Sequence, residues 1–203
     1  MERNREYRFT TSDGYKRVLP KVGDMIPNSS TRQVQSVRTA FRIVGILQDM
    51  DGVTMNELAS QLDLAKSTVH NYLGTLQSLG YAVERDGTYR LGLRFLTHGM
   101  AAKSGLGLHD AVSHVLPQVS RDLSQTMWWV VEELGRGIFV ENAVPESGQS
   151  TYGRVGKRSY LHTHAPGKAM LAHLPEEYVR QIVDYHGLPV HTKETITDTE
   201  TLM

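Results

Sequence analysis

The sequence predicts two domains of different class: a mostly α-helical unit closed by a β-hairpin, joined through one more helix to an α+β unit. Three observations carry that division. Apolar residues recur at helical spacing from Val37 to Leu79, and two short β-rich runs, Ala82–Arg85 and Thr88–Leu91, then flank the turn dipeptide Asp86-Gly87. Gly105 and Gly107 provide a break in the chain. Beyond it a helical stretch is followed by β-rich runs at Met127–Val131 and Ile138–Glu141, separated by Gly135-Arg136-Gly137, and then by more helices.

Residues 1–32 mix charge, Gly, Pro and Ser without a sustained period, so a disordered N-terminal extension with little packed structure is expected. From Ser36 to Asp51 the set Val37, Ala40, Phe41, Val44 and Leu47 marks an amphipathic helix, with Ser36 as N-cap and Gly52 as its stop. Thr54 and Glu57 form a T-x-x-E capping box for a second helix carrying Leu58, Ala59 and Leu62. After a turn at Asp63-Leu64, a third helix directs Val69, Leu73, Leu76 and Leu79 inward and ends at Gly80. With the Asp86-Gly87 hairpin, residues 33–94 read as a helix-turn-helix followed by a wing.

The outward face of that third helix concentrates Lys66, Ser67, Thr68, His70 and Asn71 in its first turns. Short or cationic hydrogen-bonding side chains at the start of a helix suit base edges in a major groove, with Arg38, Arg42, Thr54 and Arg90 as further contacts to the duplex. The plainer alternative for such a face is simple solvation, and it is the wing that favours DNA.

Gly92–Ser104 carries Leu93, Leu96 and Met100 on one side and should form a linker helix, with residues 95–108 connecting the domains. The stripe either pairs with a second copy or packs on its own subunit. His109–Gln125 is amphipathic, with Pro117 expected to kink it or to begin a fresh segment. Thr151–Thr163 should be extended, and Ala165–Leu174 and Pro175–Gly187 helical.

The motifs AKSTVHNYLGTLQSLGY, TYRLGLRFL and LHTHAPGKAMLAHLP, in that order, resemble the IclR family of transcription regulators, and the resemblance runs from about Gln33 to the C-terminus. It implies a winged helix-turn-helix at 33–94 and a GAF-like α+β effector-binding domain at 109–203. It implies double-stranded DNA and a small organic acid as partners, and a homodimer or dimer of dimers. The effector pocket implied is bordered by Trp129, Gly156, Leu161, His162, Thr163, His164, Gly167 and Lys168, with the free amides of a helix start near Gly167 and the Lys168 cation receiving a carboxylate. Asn71 stands where many relatives carry Arg, and His164 and Pro166 also depart from the common pattern.

Composition narrows the alternatives. Absence of cysteine excludes disulfides and thiolate chemistry, and no apolar run approaches a membrane span, so a cytoplasmic protein is expected. His162 and His164 form an H-x-H pair, but nothing sets the spacing of further ligands, and neither a metal nor a cofactor is expected. No nucleophile-and-base or paired-carboxylate arrangement points to an enzyme. Lys plus Arg and Asp plus Glu are equal at 22 each, which leaves open a winged-helix interaction module without effector sensing. A second T-x-x-E box, Thr197 to Glu200, stands three residues from the end of the chain, so the effector domain is expected to be incomplete, the chain being either a fragment of a regulator or the product of a disrupted gene.

Overall fold

The computed structural model describes residues 8–10, 16–18, 26, 32–146 and 153–203, and it divides into two compact units, residues 30–106 and residues 1–29 with 107–203. The N-terminal stretch expected to lack structure contains an antiparallel pair, β1 (Arg8–Thr10) with β2 (Lys16–Val18). Ile26 packs against the apolar cluster of the second unit.

In residues 30–106, α1 (Gln35–Asp49), α2 (Met55–Leu62) and α3 (Lys66–Ser78) precede a hairpin of β3 (Ala82–Arg85) and β4 (Thr88–Leu91). Helix α1 differs from expectation in its cap and in its buried face. Val34, not Ser36, is the N-cap and offers no side-chain bond, and the buried residues are Thr39, Ile43 and Leu47. Val37 and Phe41 instead face outward with Val34, Phe41 being 65% exposed. The helix therefore has two apolar stripes, and periodicity alone does not say which one faces the core. The helix ends at Asp49 with Met50 as C-cap, before Gly52.

The capping box at α2 forms as expected: the Glu57 amide donates to Thr54 Oγ1, and Thr54 N donates to Glu57 Oε2 at 2.8 Å. Asp63, in the left-handed conformation, turns the chain from α2 into α3. Val69, Leu73 and Leu76 join Leu58, Leu62, Ile43, Val53 and Tyr89 in one core, whereas Leu79, expected inside, is exposed. At the wing tip Asp86 and Gly87 both have positive φ, as a two-residue hairpin turn requires. Val53 exchanges both backbone bonds with Tyr89 and so adds an isolated antiparallel bridge on the other edge of β4.

Helix α4 (Arg94–Ser104) is anchored at its start: Arg94 Nη1 donates to the Leu79 carbonyl at 2.6 Å, and the Tyr81 hydroxyl lies 2.6 Å from His98 Nε2. None of its residues is buried, and Leu93, Leu96 and Met100 are exposed.

In the second unit, α5 (His109–Leu123) precedes a three-stranded antiparallel sheet of β5 (Met127–Glu133), β6 (Arg136–Ala143) and β7 (Arg158–Tyr160), in the order β5-β6-β7. Helix α5 continues through Pro117, and Ser120 Oγ donates to the Gln125 carbonyl at its C-terminus. Leu134 and Gly135, both at positive φ, make the β5–β6 turn, so Arg136 belongs to the strand and not to the connection. A 3-10 turn (Leu161–Thr163) leads into α6 (Ala165–Leu171), followed by α7 (Glu176–His186) and α8 (Thr199–Leu202). Asp198, not Thr197, caps α8, accepting the Thr201 amide at 2.8 Å. Tyr178 on α7 donates to Glu132 at 2.8 Å, and Glu132 also accepts the Gly135 amide at 2.7 Å, which ties α7 to the hairpin. Among the described residues, no helix is long and apolar enough to cross a membrane.

Candidate nucleic-acid interface and effector site

On α3 the side chains of Lys66, Ser67, His70 and Asn71 are exposed, while Thr68 is half-buried. Ala65, the N-cap, supplies no side-chain bond, and in the first turn of α3 the Thr68 amide bonds the Ala65 carbonyl at 2.9 Å. Val69, Leu73 and Leu76 hold the opposite face in the core, which fixes the direction of the polar one. Arg38 and Arg42 are exposed on α1.

Two expected DNA contacts have other partners in the fold. The Thr54 hydroxyl donates to Glu57 Oε2 at 2.7 Å, so its proton is engaged in the cap. Arg90 on β4 pairs with Asp51, leaving a guanidinium whose charge is already partly balanced before any phosphate arrives.

The residues expected to border an effector are more scattered. Gly156 is in the turn before β7, and its amide donates to the Phe139 carbonyl. Leu161 and His162 are buried in the 3-10 turn, and the half-buried Thr163 donates to the Tyr160 carbonyl at 2.7 Å. His164 is buried, and Lys168 lies outward on α6, lining a cleft of about 410 Å³ with Leu171, Glu176, Val179 and Leu202. Trp129 lies against His109 of α5, whereas Trp128 points the other way, edge-on to Phe139 at 5.2 Å, and Phe139 in turn meets the His164 ring at 5.6 Å. The strand period puts adjacent residues on opposite faces, and an irregularity in the ladder between Trp129 and Val130 sets which tryptophan shares a face with Phe139.

At the N-terminus of α6 the Gly167 amide, expected to be free, is already bonded. His164 is the helix N-cap, and His164 Nδ1 accepts the Gly167 amide at 3.0 Å. Pro166 has no N–H, and the Lys168 amide bonds the His164 carbonyl. Because Nδ1 accepts, the proton sits on Nε2 and is donated to Ser159 Oγ at 2.6 Å, and Ser159 donates onward to the Gly137 carbonyl at 3.2 Å. This chain closes only for a neutral imidazole. Burial first, then the charges of Lys157 and His162, hold His164 below the ordinary imidazole range. Burial likewise lowers His162, with Lys168, Arg136 and His191 acting the same way against an opposing bond to Pro189. Both His164 nitrogens are engaged and His162 Nε2 faces the Pro189 carbonyl, so the H-x-H pair is not arranged around an ion. Among the described residues, no group of three or more His, Cys, Asp or Glu is placed to hold a metal.

The helix-turn-helix model of IclR proteins matches residues 36–86, and the model described as the bacterial transcriptional regulator IclR C-terminal matches residues 100–203. The chain belongs to the IclR family. Within that family it is 32% identical over 153 residues to a probable HTH-type transcriptional regulator ArcR of Halobacterium salinarum, covering 73% of this chain and 58% of that protein. It is 26% identical to the regulator XynR of Escherichia coli, covering 84% and 69%. The crystal structure of an IclR regulator from Alicyclobacillus acidocaldarius superposes with a TM-score of 0.67 at 26% identity, covering 84% of this chain and 70% of that one. An IclR homologue from Microbacterium hydrocarbonoxydans, solved with 4-hydroxybenzoate, shares the fold at a TM-score of 0.66 and 23% identity, covering 82% and 70%. The IclR relatives named here are transcriptional regulators, not enzymes, and this chain spans roughly three-fifths to seven-tenths of their lengths.

Proposed function

We propose that this IclR-family chain acts in the cytoplasm as a homodimeric transcription regulator that binds double-stranded DNA through α3 and responds to a small organic acid through residues 109–203. The observation that carries the reading is the polar face of α3: Lys66, Ser67, His70 and Asn71 lie exposed on a helix whose opposite face is locked into the core. Arg38, Arg42 and Thr68 support the same surface, and Arg90 joins it by exchanging Asp51 for a phosphate. Dimerisation is supported by two exposed apolar stripes in the same unit, Val34, Val37 and Phe41 on or beside α1 and Leu93, Leu96 and Met100 on or beside α4.

A zero net charge favours the rival reading, an interaction module that binds no nucleic acid. Binding to the promoter of the chain's own gene, measured at several salt concentrations, separates the two. The regulator requires affinity that falls steeply with salt and is lost in Lys66→Ala and Asn71→Ala. Self-association without any salt-dependent DNA binding would sink it.

For the effector, a related fold crystallised with 4-hydroxybenzoate supports a small aromatic or aliphatic acid seated beside the loop from Leu161 to Lys168. A ligand there shifts DNA affinity only by its preference between two arrangements of the protein.

A further inference from the structure

The self-capped start of α6 raises the question of what would receive the negative charge of an acid. Arg136, the first residue of β6, has the required chemistry. Its guanidinium carbon lies 3.6 Å from the centre of the Tyr160 ring, stacked on the residue opposite it in the β6–β7 ladder. Its Nε is shut off from water with no hydrogen-bond partner, the one such side-chain atom among the described residues. No ion pair among those residues engages the guanidinium, although Glu133 lies across from it in the β5–β6 ladder.

The His162 side of the stack carries no carboxylate. Tyr160 packs on His162 at 5.8 Å and edge-on to His186 at 6.2 Å, and the charged or titratable groups acting on His162 are Lys168, Arg136 and His191. On the other side, Glu132 is engaged by the Tyr178 hydroxyl and the Gly135 amide. A stacked guanidinium with a buried unpaired nitrogen is poorly satisfied as a structural element. An oxyanion that reaches the guanidinium as the packing over Nε opens gives it two charge-assisted bonds in the geometry the fork is built for.

We infer that Arg136, held flat on Tyr160 beside His162, is the carboxylate receptor of the effector site. This rests on the acid-effector reading above and replaces the α6 N-terminus and Lys168 as the group that holds the charge. Leu161 and His162 then form the wall next to the receptor, which places the acid at the β7 end of the loop. His164 acts as the closed cap of α6 and not as a ligand contact.

The test uses the full chain and calorimetric titration with benzoate, phthalate and pyruvate, with benzamide as the uncharged counterpart of benzoate and inorganic phosphate as the other oxyanion. The expected result is that at least one carboxylate binds, benzamide does not, and Arg136→Met weakens binding roughly tenfold or more while Lys168→Met weakens it far less. Melting followed by tryptophan fluorescence gives a ligand-free readout, since both tryptophans are on β5. Relieved of a buried unpaired nitrogen, Arg136→Met should melt within about 3 °C of the parent chain or above it. If that variant folds badly, Arg136→Lys keeps the charge but loses the fork, and it carries the binding comparison. Loss of binding in Lys168→Met with none in either Arg136 variant overturns the receptor and leaves the acid-effector reading intact. Absence of binding by every carboxylate at tens of millimolar, roughly the weakest range of specific recognition, overturns both. Phosphate bound more tightly than any carboxylate, with the same dependence on Arg136, overturns the carboxylate assignment.

Discussion

His164 shows how one side chain can change the chemistry of a site. As a neutral N-cap it accepts from Gly167 and donates to Ser159, and protonation would set an Nδ1–H against the Gly167 N–H it now receives. Its folded-state affinity for protons is lowered by burial, Lys157 and His162, so below the ordinary imidazole value of 6.5 the unfolded chain binds more protons than the native one. The associated stability is complete above that value and is lost as pH falls through it toward the depressed native value; His162 adds in the same sense. The expected outcome is a tryptophan-monitored melting temperature that drops between about pH 7 and pH 5. His164→Asn keeps a side-chain acceptor at the cap and cannot titrate, so it should show a shallower drop. An equally steep drop in the variant would remove His164 from the account.

At the scale of elements, close backbone approach and caps decide which local patterns hold. A Cβ on Gly92 would lie 2.1 Å from the Gly80 carbonyl oxygen, at the point where the Gly92 amide bonds Tyr81 and the wing closes on the end of α3. Gly92→Ala should therefore destabilise the winged unit by on the order of 3 kcal/mol in urea denaturation followed by helical circular dichroism. A change under about half a kcal/mol would mean that the strand end moves freely. Thr54→Ala, which removes the hydroxyl from an otherwise intact box, should cost about 1 kcal/mol by the same measurement. The caps also mark where sequence reading succeeds. The Thr54 box is legible because both partners sit at fixed spacing in the chain, whereas the Thr197 box lost to Asp198, one residue along, because a carboxylate at that position accepts the Thr201 amide equally well.

For the whole molecule, a net charge of zero means that DNA affinity must come from where the cations stand. The logarithm of the binding constant should fall with the logarithm of salt by about 0.9 per phosphate neutralised, and Lys66→Ala should reduce that slope by about one. Asn71→Ala should leave the slope unchanged and relax sequence preference instead. A slope unaffected by loss of Lys66 would take that residue off the phosphate backbone. The exposed stripes belong to the same scale. Leu93 is 84% exposed, and Leu93→Glu with Leu96→Glu should convert a dimer into a monomer in sedimentation velocity without lowering the melting point of the winged unit. Unchanged mass would show that these side chains do not hold two copies together.

What the sequence alone determined is local: the capping box at Thr54, the Asp86-Gly87 turn, the polar start of α3 and the inward Val69, Leu73 and Leu76 all follow from interactions between residues a few positions apart. Tertiary structure decided the rest. Helix α1 offers two apolar stripes of similar strength, and only packing against α2, α3 and the wing selects Ile43 and Leu47 over Val37 and Phe41. A ladder irregularity decides which tryptophan shares a face with Phe139, and Arg136 stacks on Tyr160 because β6 pairs with a strand more than twenty residues away. The Gly167 amide at the start of α6 is closed by His164, whose second nitrogen is held by Ser159, and it is the Ser159 bond to the Gly137 carbonyl of β6 that exists only once the sheet has formed.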